Sequence, residues 1–117
     1  MKTHKDLNAW KNSIELVTEI YKITKLFPKE EQFGLINQMK RSAVSVPSNI
    51  AEGAGRNHNK EFIQFLFIAQ GSLSELETQL IISMNLAFID ESTYKKLNEK
   101  MIEIRSQLSG LIKFLNK

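Results

Sequence analysis

At 117 residues, with 42% hydrophobic and 25% charged residues, the chain has the size and composition of one ordinary globular domain, read as residues 1–117. It has no cysteine, which excludes disulfides and thiolate metal sites, and its two prolines and five glycines are too few for an all-β protein full of tight turns. A net charge of +3 is by itself a weak pointer to nucleic acid. Its distribution says more: Glu61 to Asp90 holds four acidic residues and no Lys or Arg, whereas Glu91 to Lys117 holds six basic residues against three acidic.

The first segment runs from about Asp6 to Phe27. Leu7, Trp10, Ile14, Val17 and Tyr21 recur at steps of three and four, widened by Ile20 and Phe27, and this periodicity predicts one apolar helix face. Pro28 ends the segment, because the residue before a proline is pushed out of the α region. The second begins near Glu31 and carries Leu35, Ile36, Met39, Ala43, Val46 and Ile50, with Gly53 and Gly55 suiting a C-terminal turn. The third starts after "GRNHN", where Asn57 or Asn59 suits an N-cap and Glu61 the first turn, and continues to about Ala87. The fourth opens on Asp90 as N-cap and repeats Tyr94, Leu97, Met101, Ile104, Leu108, Leu111 and Leu115, the pattern of a bundle seam. Four long helices with short links predict an all-α fold: an antiparallel up-down-up-down four-helix bundle with its second helix kinked at Pro47.

The third segment has no polar face. Phe62, Ile63, Phe65, Leu66, Phe67, Ile68 and Ala69 surround the axis, and Leu80, Ile81, Ile82 and Met84 repeat this further on. One side fills a bundle core, and the rest must be covered by loops, by the N-terminal tail or by another subunit. A homo-oligomer is expected, since leaving such side chains in water forgoes roughly 1.5–3 kcal/mol each.

A polar row crosses the proline. Gln38, Arg41, Ser45, Asn49, Glu52 and Arg56 fall at steps of 3, 4, 4, 3 and 4 on one face of the second helix, and the third helix offers Ser72, Glu75 and Gln79. Glu75 stands between Leu73 and Leu76, so it is expected near apolar surroundings with Arg41 or Arg56 as its partner, and Gly71 would let another helix approach. These residues are read as a structural polar seam that fixes helix register or subunit packing. They lack the companions of a catalytic site. The only histidines are His4 and His58, no Glu-x-x-His pair, HExxH, P-loop or dinucleotide fingerprint occurs, and Arg56 and His58 stand too close for the Arg–His spacing of bundle-type RNases. The chain is expected not to be an enzyme and to hold no metal or cofactor. "MKTHKDLNAW" has no apolar run of the signal-peptide kind, and "FIQFLFIAQGSL" is bracketed by Glu61 and Glu75, so a cytoplasmic protein with no membrane span is expected.

Phe27-Pro28, "EQFGL" from Glu31, "SVPSNIAEG" from Ser45 and "GSLSEL" from Gly71 closely resemble the four-helix bundle proteins encoded in intervening sequences of bacterial 23S rRNA genes, and the resemblance extends over nearly the whole chain. It implies ring-like homopentamers and offers no catalytic residue to carry over to this chain. A related branch, the accessory variability protein of diversity-generating retroelements, forms a basic pentameric barrel that binds nucleic acid and a reverse transcriptase. The present chain differs from that branch in its modest charge and in a third helix without basic residues.

The function expected is therefore that of a non-enzymatic oligomeric accessory factor for nucleic acid or a ribonucleoprotein. The rival is a structural or protein-adaptor ring with no nucleic-acid role. The charge map places RNA or DNA contacts on Lys2 and Lys5 of the tail and on Arg56 and Lys60 of the turn after the second helix, all at one end of the bundle. Lys95, Lys96, Lys100 and Arg105 belong to the fourth helix.

Overall fold

Local chemistry sets where each helix starts and stops. The computed structural model describes residues 3–117, so Lys2 lies outside the described residues. Four helices make up the fold, α1 (Asn8–Thr24), α2 (Leu35–Ala54), α3 (Asn59–Asn85) and α4 (Glu91–Leu115), with 3-10 turns at His4–Asp6 and Lys29–Glu31. Thr3 and Asp6 form a reciprocal capping box around the first turn. Asp90 caps α4 as expected, its carboxylate accepting from Thr93 N at 2.8 Å. The start of α3 differs from expectation. His58 occupies the cap position without a side-chain bond, and Asn59, the first residue of the helix, donates to the Leu115 carbonyl at 3.3 Å. At the far end of α3 the chain turns through Ala87 at φ 63°, with Phe88 N bonded to Ser83 O and Ala87 N to Met84 O, a Schellman closure.

The four helices form a bundle in which α1 and α3 each pack on both α2 and α4, and the α2–α3 contact is the most extensive. Leu16, Ile20, Met39, Val46, Ile50, Leu66, Leu73, Leu76, Leu80, Met101, Ile104 and Leu108 are fully buried between them. In α4 the seam read from the sequence is the seam observed, with Tyr94, Leu111 and Leu115 half-buried at its ends.

In α1 the buried face is rotated from the expected one. It is made by Ala9, Ser13, Leu16, Ile20 and Thr24, while Ile14 and Tyr21 are exposed and Leu7, Trp10 and Val17 half-buried. Small and hydroxyl residues can face the core here because the hydroxyls bond backward to their own helix, Ser13 to the Trp10 carbonyl and Thr24 to the Ile20 carbonyl, both at 2.8 Å.

One helix runs through Pro47, which is buried inside α2. Gly53 does not begin a turn: it lies buried within α2, where an added Cβ would stand 2.7 Å from Phe65 Cβ and 2.9 Å from Phe62 Cδ1. It is the point at which α3 comes against the backbone of α2. Among the described residues no helix is long and apolar enough to cross a membrane.

Candidate functional site

The polar row on α2 meets its counterpart on α3 in a groove. Ser45 and Ser72 face each other with their hydroxyls 2.8 Å apart, and Asn49 Nδ2 donates both to the Ser45 carbonyl at 2.8 Å and to the Ser45 hydroxyl at 2.9 Å. This cluster ties α2 to α3 and forms one end of a cavity of about 300 Å³. Gln38, Arg41 and Ser42 continue the α2 wall, and Glu75 and Gln79 the α3 wall. Ser72 and Gln79 are buried, Ser45 and Asn49 half-buried, and Gln38, Arg41, Glu52 and Glu75 exposed at the lip or beyond it. Ser42, which the sequence reading left out of the row, is buried and lines the same wall.

The expected pairing of Glu75 is not what the structure shows. Arg56 is engaged elsewhere, with Glu52 at 3.1 Å and Glu61 at 3.8 Å, and its guanidinium lies 4.9 Å from the centre of the Phe65 ring. Arg41 shares the groove with Glu75 without forming an ion pair with it. The physical reason is exposure. Glu75 projects to solvent between its apolar neighbours Leu73 and Leu76, which turn inward, so water solvates the carboxylate and no buried partner is required. At Gly71 an added Cβ would meet nothing within 4 Å beyond its own stretch of helix, so no neighbouring helix in this chain makes use of the missing side chain.

The basic residues divide by end of the bundle. The turn carrying Lys5 packs on α1 and α2, where His4 lies edge-on to Trp10 at 5.3 Å and shares a cleft with Pro47, Ser48 and Ala51. Arg56 and Lys60 follow α2 at that end, and Lys60 shares a second cleft with Leu115 and Lys117. Lys117 is a member of this basic end that the sequence reading missed. Its place is set by the end of α4, since Leu115, Asn116 and Lys117 line the same cleft as Lys60. Three of the basic residues along α4 are engaged by carboxylates: Lys100 pairs with Glu15, Lys95 with Glu91 and Arg105 with Glu77.

The outer side of α3 stays uncovered in the chain. Phe67, Ile68 and Leu86 are 55%, 50% and 54% exposed, and Ile81 and Ile82 are exposed as well. The N-terminal turn lies against α1 and α2 and does not cover them. Ile68, Ser72, Glu75, Gln79 and Ile82 follow one another at steps of 4, 3, 4 and 3, so apolar groups flank the groove at both ends of its α3 wall.

Among the described residues no group of His, Asp and Glu has the arrangement of a metal site. The groove supplies one cation, one carboxylate, amides and hydroxyls, which suits binding and positioning. Fold and site thus define an all-helical bundle with a polar inter-helix groove, a basic end and an open apolar face. The chain belongs to the 23S rRNA-intervening sequence protein family, whose pattern it matches over residues 5–110. It is also similar to the crystal structure of a protein of unknown function from the S23 ribosomal protein family of Bacteroides thetaiotaomicron VPI-5482. That likeness has 27% sequence identity and a TM-score of 0.82, and it covers 90% of this chain and 98% of that one. Among curated proteins none matches.

Proposed function

We propose that the protein is a non-enzymatic, cytoplasmic homo-oligomer, a homopentameric ring of bundles, that acts as an accessory factor for nucleic acid or a ribonucleoprotein. The observation that carries the assembly is the set of apolar side chains left open on α3, Phe67, Ile68, Ile81 and Ile82, with Leu86 just after it. Monomeric proteins rarely expose so many large apolar groups along one helix without a partner. In this reading the bundle is up-down-up-down and α2 bends at Pro47. Opposite directions for α2 and α3 are supported by their contacts, which pair Met39 with Ser83, Ser45 with Ser72, and Gly53 with Phe62. A bend is favoured because Pro47 has no N–H to give the Ala43 carbonyl and its ring crowds that oxygen.

The nucleic-acid role rests on the basic end, where Lys5, Lys60 and Lys117 are repeated around one rim of a ring. Few charges per subunit then add through multivalency, giving contacts that are independent of sequence and sensitive to salt. One observation favours the rival adaptor ring: Arg56 already faces Glu52 and Glu61, which reduces the charge it offers a phosphate. The two readings separate in an anisotropy titration of the purified oligomer with single-stranded RNA and with DNA at low and moderate salt. Binding that weakens steeply with salt, and by about tenfold or more in Lys60→Glu combined with Lys117→Glu, is the expected result. Absence of binding at low salt, or binding indifferent to the double variant, favours the adaptor.

A further inference from the structure

The groove between α2 and α3 contains an acceptor with nothing to accept. Gln79 is 8% exposed, and its side-chain oxygen is buried with no hydrogen-bond partner. The neighbouring Ser83 hydroxyl does not serve it, because that hydroxyl donates to the backbone carbonyl of Gln79 at 2.8 Å. Buried acceptors in folded proteins are nearly always paired, so this one calls for a donor from outside the chain.

A water would answer that need alone, but the walls of the groove add two charges. The chain has three arginines. Arg56 and Arg105 each face a carboxylate, at 3.1 Å and 3.9 Å, and Arg41 alone among the three does not. Glu75 on the opposite wall is also without an ion pair among the described residues. A cation and an anion that line one groove without pairing are matched by a molecule carrying both charges in the reverse order.

We propose that this groove binds a small zwitterion of the α-amino acid class, its carboxylate held by Arg41 and its ammonium by Glu75 and the side-chain oxygen of Gln79. A guanidinium presents a planar fork that matches a carboxylate with paired hydrogen bonds. An ammonium has three donors, enough for Glu75, the orphaned Gln79 oxygen and one hydroxyl. The volume of about 300 Å³ stands at the small end of ligand cavities and suits a molecule of this size. Ser42, Ser45, Ser72 and Gln38 complete the lining, so a short polar side chain fits better than a bulky apolar one. A phosphate is disfavoured by Glu75, and a divalent cation by Arg41 and by the lack of a second carboxylate in the lining.

The test is isothermal titration calorimetry of the purified, assembled protein with glycine and with L-glutamine, and with acetate and methylamine as single-charge controls. Saturable heat is expected for the amino acids, with affinity lower by at least about tenfold for either control, since each lacks one charge-assisted contact. Arg41→Gln and Glu75→Gln remove one charge from each wall of the groove, and each is expected to weaken amino-acid binding to a similar degree while the helical signal in circular dichroism stays unchanged. No saturable binding of either amino acid overturns the proposal. Binding unaltered in both variants overturns it too. Loss of assembly in both variants, with no amino-acid binding to the native protein, assigns the groove instead to the contact between copies and equally overturns the proposal.

Discussion

At Gly53 the backbone of α2 comes within reach of Phe62 and Phe65 of α3. A methyl group there has no space, since its neighbours include the Phe62 carbonyl at 3.2 Å as well as the two side chains. Gly53→Ala is therefore expected to lower stability by about 1–3 kcal/mol, the usual range for overpacking, read as a fall in the urea midpoint. Gly71→Ala is the contrasting substitution, because nothing lies within 4 Å of the added carbon. It is expected to leave the chain as stable or to stabilise it by up to about 1 kcal/mol through helix propensity. Ala87 is strained in the opposite sense. It holds the left-handed conformation, φ 63°, that closes α3, where an L side chain crowds its own carbonyl. Ala87→Gly removes that strain and is expected to raise stability by about 1 kcal/mol, measured by thermal melting.

Between α3 and α4 the Asp90 cap gives a prediction whose sign follows from one carboxylate. The Thr93 hydroxyl, and after it the Thr93 backbone N–H, hold the Asp90 carboxyl below its ordinary value. A group whose folded pKa is depressed contributes stability above its unfolded pKa and loses it as pH falls through the folded one. The native protein should accordingly lose more melting temperature than Asp90→Asn on moving from neutral pH to below the ordinary carboxylate range. Other acids titrate alike in both proteins, so the difference isolates this cap, and parallel curves would contradict it. The elements differ in how far sequence reveals them. In α4 the buried positions are all large and apolar, so periodicity alone finds Leu97, Met101, Ile104 and Leu108. In α1 it misleads, because Ser13 and Thr24 hide their hydroxyls against their own backbone and pack as small core residues. Trp10, Ile14 and Tyr21 then form the flank instead of the face. In the groove, the pattern of steps placed Ser45, Ser72, Glu75 and Gln79 along a common line. Whether a carboxylate is solvated or paired depends on tilt and exposure, which a pattern of steps does not contain. That is why the steps suggest Arg41 or Arg56 as a partner for Glu75 while the structure pairs it with neither.

For the whole molecule, the distribution of apolar surface decides the account. The core is filled from all four helices, yet α3 keeps Phe67, Ile68, Ile81 and Ile82, and its C-terminal cap Leu86, in contact with solvent within one chain. Burying them between copies recovers roughly 1.5–3 kcal/mol for each side chain fully covered, and a ring places the Lys60–Lys117 ends together on one rim. Ile68 and Ile82 flank the groove, and Ile68→Glu combined with Ile82→Glu is expected to dissociate the assembly while leaving the helical signal of the bundle intact. Sedimentation velocity at micromolar concentration tests this claim most directly. The account predicts a closed species of several chains of 13.5 kDa, five for a homopentamer, and its conversion to smaller species in the double variant. A native protein that sediments as a single 13.5 kDa chain at that concentration would contradict it.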